Sequence, residues 1–248
     1  QPAIAPEVWV TRISQIWNSA MESQRLRPAG STFAGNALEG WFVPEHLALR
    51  FPELGNADQL RDVALQVRRE DGEDLTFISC PPDWACSVIN RNLIAAHGLT
   101  NLVEIVEPAN RFELDTLIAQ SVSRSRPVFF YYWQPNSVLA QFEFKELSMG
   151  VHDATAYTCL ARRNCPNPQP SGFVPETVFM VIPDWVYNDV PEISDYLIRA
   201  SIPLNELNEL MAWQAENDAG FEEAAEHFVS TRSEIWQNWL PAGSRMTV

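Results

Sequence analysis

The alternation of short apolar runs with longer amphipathic segments between residues 75 and 133 constrains the fold most. Three runs have the composition of strands and two intervening segments have helical periodicity, in the order DLTFISC, ACSVINRNLIAAHG, LVEIVE, NRFELDTLIAQSVSRS and RPVFFYYW. Strands that alternate with helices in this way are typical of βαβ units, which form parallel sheets. The sequence therefore predicts an α/β fold.

The segments on either side add further predicted elements. NALEGWFVP predicts a strand that ends at Pro44, and ETVFMVIPDW predicts another, whereas PEVWVTRISQIWNSAMESQRL has the apolar periodicity of a helix. From Pro191 onward the sequence predicts only helices. Residues 150–175 are rich in Pro, Asn and Ser, so we predict a long surface loop there.

The four cysteines form two pairs with the same spacing, Cys80 with Cys86 and Cys159 with Cys165. An even number of cysteines in local pairs predicts disulfides and an oxidising compartment. Metal binding and free thiols are the alternatives, but no nearby His/Cys set completes a zinc site. A redox-active pair is normally Cys-x-x-Cys, a shorter spacing than the one found here.

Composition and charge exclude several classes of protein. The chain is 46% hydrophobic and 11% aromatic over 248 residues, which is enough for a substantial core. The net charge is −15 and Lys145 is the single lysine, so nucleic acid and anionic membranes are not expected partners. An acidic protein suits a cationic ligand. No apolar stretch is long enough for a transmembrane helix.

Catalytic motifs are not found in the sequence. It contains no nucleophile elbow, glycine-rich phosphate loop or metal motif, and the four histidines are scattered, so we predict neither an enzyme nor a cofactor. The remaining enzymatic alternative is glycoside hydrolysis by Asp83 or Glu39 in a cleft lined by tryptophan.

Several of the nine tryptophans lie where α/β proteins bind ligands. Trp41, Trp84 and Trp133 lie at strand ends or at the start of a helix, and Trp9 lies near the N-terminus. Ligands of open α/β sheets bind at the carboxyl ends of strands. Tryptophan faces hold quaternary ammonium groups, and Glu39 would add a negative charge. Packing in the core is the alternative for each tryptophan.

The segment after Trp84 predicts a second kind of contact. The backbone amides of Ala85 and Cys86 open a helix, and such amides bind anions. A cation cage beside an anion site would suit a small zwitterion.

Three segments carry a resemblance to a known family: CPPDWAC, RPVFFYYWQP and the helical tail LNELMAW…EEAAEHFVSTRSEIWQNWL. They resemble the substrate-binding proteins of ABC importers for glycine betaine, proline betaine and choline, which include members that bind trimethylamine N-oxide. The resemblance implies a type II periplasmic binding protein fold, in which two α/β lobes close on a ligand at a hinge. Lobe 1 would comprise residues 1–43 and 179–248. Lobe 2 would comprise residues 44–178, including a disulfide-stapled loop at 150–175.

The resemblance also has implications for the N-terminus, the compartment and the partners of the protein. The strand-helix-strand stretch with which members usually begin is expected to be absent from this chain. The protein is expected to be a periplasmic monomer, exported with a signal peptide that is not in this chain, and to deliver its ligand to an ABC permease. A domain that senses the same ligand for a receptor is the alternative.

The site implied by the resemblance is an aromatic cage with backbone donors. Its expected ligand contacts are Trp9, Glu39, Trp41, Trp84, Ala85, Cys86 and Trp133. Some members also use a basic side chain after the first cage aromatic, a place that Arg12 would have to fill. This weak provision for a carboxylate favours trimethylamine N-oxide or choline over glycine betaine. The 150–175 loop is either solvated or binds calcium through its carbonyls, Asp153 and Glu176.

Overall fold

The computed structural model describes residues 4–10, 14–34, 39–174 and 176–241 of the chain. Its strands within these ranges are β1 Ala5–Trp9, β2 Leu26–Ser31, β3 Phe33–Ala34, β4 Glu39–Pro44, β5 Leu75–Ile78, β6 Val103–Val106, β7 Val128–Trp133, β8 Phe144–Leu147, β9 Val178–Pro183 and β10 Ile202–Pro203. The α-helices are α1 Ser14–Glu22, α2 Glu45–Arg50, α3 Leu60–Asp71, α4 Ala85–Ala96, α5 Arg111–Ser123, α6 Ser137–Gln141, α7 Ala154–Leu160, α8 Asp184–Asp189, α9 Pro191–Arg199, α10 Leu204–Glu216, α11 Phe221–Thr231 and α12 Ser233–Trp236.

The chain forms two compact units. Unit 1 comprises Gln1–Leu38, Gln134–Ala140 and Pro175–Val248, and unit 2 comprises Glu39–Trp133 and Gln141–Val174. The boundary expected at residue 43 differs from this division by one strand, because β4 pairs with β7 and β8 of unit 2. The assignment of the chain to two lobes remains a prediction.

Unit 2 is built on a five-stranded sheet with the strand order β6-β5-β7-β4-β8. β5 pairs in parallel with both β6 and β7, so the strand-helix-strand alternation predicted a parallel arrangement correctly. β4 runs antiparallel to its neighbours β7 and β8, which makes the sheet mixed. The direction of a strand depends on its partners, which the residues of β4 alone do not specify.

Helices α3 and α4 bury one face each in the core of unit 2. On α3, Val63, Ala64 and Val67 are buried at the spacing of one helical face, and α3 ends at Gly72 with a φ of 75°. On α4, Leu93 is fully enclosed. These apolar faces hold the helices against the sheet and thereby fix where α4 begins.

Unit 1 contains a three-stranded antiparallel sheet in the order β1-β9-β2 and a short parallel pair, β3 with β10. Gly30 of β2 faces α9 so closely that a Cβ atom there would lie 2.8 Å from the carbonyl oxygen of Ile198. The helices predicted after Pro191 are present as α9 to α12, with β10 as a short interruption. A single glycine thus permits the close packing of α9 on the sheet.

The predicted N-terminal helix is wrong in its first part. Residues 5–9 form strand β1, and Val8 and Trp9 lie opposite Phe179 and Val178 of β9. Only the second part of the segment is helical, as α1. The apolar spacing suited both structures, and pairing with β9 decides in favour of the strand.

The predicted loop at 150–175 also contains regular structure. Asp153 caps α7 by accepting hydrogen bonds from the backbone amides of Thr155 and Ala156, at 2.8 and 2.9 Å. The disulfide Cys159–Cys165 closes the end of this helix. The expectation of a loop without a helix is therefore wrong for residues 154–160.

Candidate functional site

Two of the predicted site tryptophans meet at the carboxyl edge of the sheet in unit 2. Trp84 follows β5 and Trp133 ends β7, and because these strands are parallel their carboxyl ends share one edge. The ring centroids lie 5.5 Å apart with an angle of 60° between the planes. Both side chains are half-buried. Rings tilted in this way form an aromatic corner at this edge of the sheet.

The backbone on both sides of Trp84 is held in place. The disulfide Cys80–Cys86 joins buried cysteines whose Cα atoms lie 6.3 Å apart. The Trp84 amide donates to the Pro81 carbonyl at 3.0 Å, and the Trp84 carbonyl accepts from the Ser87 amide at 3.1 Å. Ring closure and two backbone hydrogen bonds thus restrict the loop, and both predicted disulfides are present.

Trp84 is also the residue at which α4 begins. Its φ and ψ of −87° and 148° are extended, and its side chain makes no capping hydrogen bond. The amides of Ala85 and Cys86, in the first turn, have no acceptor within the helix itself. Ala85 is exposed and Cys86 is buried.

Glu39 lies beside this tryptophan corner. It is the first residue of β4 and is paired in register with Trp133 on β7. Side chains directly opposite each other on paired strands lie on the same face, with Cβ atoms about 5 Å apart. The half-buried Glu39 therefore places a carboxylate next to the Trp133 ring.

Trp41 lies deeper in the same unit and is fully enclosed. Its ring packs 5.0 Å from Phe77 and 5.4 Å from Phe129, measured between centroids. Its indole Nε1 donates to Oδ1 of Asn90 at 2.9 Å. Trp41 therefore packs as a core residue of unit 2, which argues against the predicted contact with a ligand.

Asn90 is a supporting residue that sequence reasoning missed. It lies on the buried face of α4, accepts from Trp41, and donates through Nδ2 to the Ser79 hydroxyl at 3.1 Å. Asn90 and Ser79 are both fully buried. Asn90 therefore ties β4 and the start of the disulfide loop to the helix that Trp84 begins. The asparagine that directly follows Val88 and Ile89 was the available signal.

Glu107 is the second residue that was missed. It follows β6, and its Oε1 accepts from the Ser87 hydroxyl at 2.7 Å and from Arg91 Nε at 3.0 Å. Burial raises the pKa of this carboxyl, but the hydrogen bonds from Arg91 and Ser87 together bring the pKa below its ordinary value. Glu107 is therefore ionised at neutral pH.

Trp9 belongs to unit 1, where it contacts Phe33 and Glu7. Its ring meets Phe33 edge-on at 6.4 Å, and Nε1 donates to Glu7 Oε1 at 2.6 Å. Its contact with a ligand stays a prediction. Arg12 lies outside the described residues.

The described part of the chain shows no metal centre. No group of three or more His, Cys, Asp or Glu residues is arranged there to hold an ion. Asp153 caps α7, and Glu176 is buried. Within the same residues, no helix combines the length and the apolar character needed to cross a membrane.

Comparison with known proteins identifies the class. The chain belongs to the family of substrate-binding domains of ABC-type glycine betaine transport systems, whose family model matches residues 1–231. This is a family of binding proteins, so the prediction that the chain is not an enzyme is confirmed. No curated protein sequence matches the chain.

Solved structures of similar fold include three substrate-binding proteins. The glycine betaine/L-proline-binding protein ProX from Borrelia burgdorferi has a TM-score of 0.61 at 13% identity, covering 97% of this chain and 78% of its own. A choline-binding protein of an ABC transporter, in complex with choline, has a TM-score of 0.60 at 15% identity, with coverages of 96% and 74%. Lactococcal OpuAC in its closed form with glycine betaine gives 0.58 at 12%, with coverages of 92% and 75%. The chain thus has the α/β fold of type II binding proteins over most of its length.

Proposed function

We propose that this protein captures a small methylated ammonium compound outside the cytoplasm and delivers it to an ABC permease. Trimethylamine N-oxide, choline and glycine betaine are the candidate ligands. The observation that carries the proposal is the corner formed by Trp84 and Trp133, with ring centroids 5.5 Å apart at 60° and with Glu39 paired beside Trp133. Membership of the family and the two disulfides, which suit an oxidising compartment such as the periplasm, support it.

The aromatic corner supplies the right kind of attraction for a methylated cation. A quaternary ammonium group is weakly hydrated, and its contact with a tryptophan face contributes about 2 kcal/mol or more when water is excluded. Two faces would thus contribute about 4 kcal/mol, and micromolar affinity corresponds to about 8 kcal/mol. The Glu39 carboxylate and apolar contacts of the methyl groups would supply the remainder.

The three candidate ligands share a trimethylammonium group and differ in the fourth substituent on nitrogen. The shared group would contact Trp84 and Trp133. The amides of Ala85 and Cys86, at the start of α4, would face the fourth substituent, where they can donate to an oxide, hydroxyl or carboxylate oxygen. The same corner therefore accommodates the whole ligand class.

The disulfide loop would keep the site preorganised. A loop that had to become ordered on binding would lose roughly 0.5–1.5 kcal/mol for each side chain immobilised. The Cys80–Cys86 bridge and the backbone hydrogen bonds of Trp84 hold this loop before any ligand arrives. We expect a monomeric receptor with a rigid binding wall and no cofactor.

The proposal is tested by titrating tryptophan fluorescence with trimethylamine N-oxide, choline and glycine betaine. We expect a saturable change with at least one ligand at micromolar concentration, and its loss in Trp84→Ala. Trp185→Ala is the matched control, because Trp185 is 54% exposed on α8 in unit 1 and should bind as the unaltered protein does. No response to any of the three ligands would overturn the proposal.

A further inference from the structure

Glu107 lies at the same sheet edge as the tryptophan corner. The last residue of β6, Val106, pairs in parallel with Ile78 at the end of β5, so Glu107 is level with the start of the disulfide loop. Only 18% of its side chain is exposed, against 57% for Arg91. A largely buried carboxylate thus lies at the sheet edge that also carries Trp84 and Trp133.

The hydrogen bond from Ser87 places this carboxylate against the first turn of α4. Ser87 is the third residue of the helix and is itself buried. The first turn of a helix carries a partial positive charge, and an acid beside it is stabilised by that charge and partly cancels it. The amides of Ala85 and Cys86 therefore present a weaker positive potential than an uncompensated helix end.

Arg91 does not fully offset this effect. Its guanidinium donates to both carboxylate oxygens of Glu107 and so cancels part of that negative charge. Its larger exposure also means that solvent screens its charge more strongly than that of Glu107. A ligand carboxylate at Ala85 would consequently experience net repulsion from Glu107.

We infer that Glu107 is a specificity-determining residue, which disfavours a ligand carboxylate at the start of α4 and favours choline, a methylated cation without a negatively charged oxygen. The inference rests on the proposed function and adds an order of ligand affinities to it. Choline should bind more tightly than glycine betaine. Removal of the Glu107 charge should reduce that difference.

The test is calorimetric titration of the unaltered protein, Glu107→Gln and Glu104→Gln with choline and with glycine betaine. Glutamine keeps the shape of the side chain and can still accept from Ser87. We expect the ratio of the glycine betaine Kd to the choline Kd to fall about threefold to tenfold in Glu107→Gln, as the loss of one partly screened charge near the ligand carboxylate would cause. Glu104 on β6 is exposed, so its variant removes the same charge and should leave the ratio within about twofold.

A second variant tests the same inference from the opposite direction. Arg91→Gln leaves Glu107 without its cationic partner and should raise the ratio. An unchanged ratio in Glu107→Gln, or a fall in Arg91→Gln, would overturn the inference while leaving the proposed function intact. Failure of the unaltered protein to bind either ligand would overturn the proposed function, and the inference with it.

Discussion

Trp41→Phe distinguishes a core residue from a residue that contacts the ligand. Trp41 is fully buried, packs against Phe77 and Phe129, and donates to Asn90 at 2.9 Å. Phenylalanine fills part of the space but has no N–H group. The substitution therefore leaves a buried Asn90 oxygen without its donor and a small cavity beside the phenylalanines.

The expected loss of stability has two parts. A buried acceptor that loses its donor destabilises by about 1–3 kcal/mol. The lost ring atoms add roughly 1–2 kcal/mol through reduced packing and the cavity. The sum of about 2–5 kcal/mol is a large fraction of the 5–15 kcal/mol typical of a folded domain.

Urea unfolding followed by circular dichroism measures this loss. The midpoint should fall by about 1 M or more, given typical slopes of 1–3 kcal/mol per M. At low urea concentration the folded variant should retain its ligand affinity within about threefold. Trp84→Phe is the comparison, because Trp84 is half-buried and its substitution should weaken ligand binding with little effect on stability.

The hydrogen bond itself can be isolated with Asn90→Leu. In the Trp41→Phe background both polar partners are then removed, so the double variant should be less destabilised than the two single losses add up to. Trp41→Phe with the stability of the unaltered protein would refute the core assignment. A tenfold loss of affinity at unchanged stability would likewise show that Trp41 contacts the ligand.

Three further outcomes follow from the site and its support. Trp84→Ala and Trp133→Ala should each weaken ligand binding by about 1–3 kcal/mol, and calorimetry on the double variant should show a smaller loss than the sum, because both rings would contact one cation. Cys80→Ser with Cys86→Ser should lower stability by roughly 2 kcal/mol through the lost loop closure, and unchanged chemical unfolding would contradict that role for the bridge. Burial raises the pKa of Asp115, although the hydrogen bond from the Tyr132 hydroxyl and the charge of Arg111 act to lower it, so ionisation of Asp115 opposes folding. The stability of Asp115→Asn relative to the unaltered protein should therefore increase as pH rises above about 4. A decrease over that range would contradict this prediction.

Much of unit 2 could be predicted from the sequence because its signals are local. Apolar runs with intervening helical periodicity gave β5, α4, β6, α5 and β7 in order. The meeting of Trp84 with Trp133 followed from the rule that parallel strands share a carboxyl edge. The spacing of Cys80 and Cys86 likewise predicted a bridge that closes within six residues.

The features that could not be predicted depend on distant partners. The strand β1 is defined by its pairing with β9, which lies about 170 residues further along the chain. The position of Trp41 within β4 was visible, but its depth is set by Phe77 and Phe129 on other strands. Glu107 accepts hydrogen bonds from Ser87 and Arg91, which lie 20 and 16 residues away, and nothing in the sequence next to Glu107 indicates these partners.

In the proposed function, Trp84 and Trp133 attract the positive charge of a methylated cation. The most direct measurement compares choline with its neutral isostere 3,3-dimethylbutan-1-ol, in which carbon replaces the nitrogen, by calorimetric titration of the unaltered protein. The two molecules have the same shape and bury the same methyl groups. Because the aromatic faces and Glu39 act on charge, we expect choline to bind at least about 30-fold more tightly, equivalent to about 2 kcal/mol. Equal affinities would show that the corner is only an apolar surface and would contradict attraction of the charge by Trp84 and Trp133.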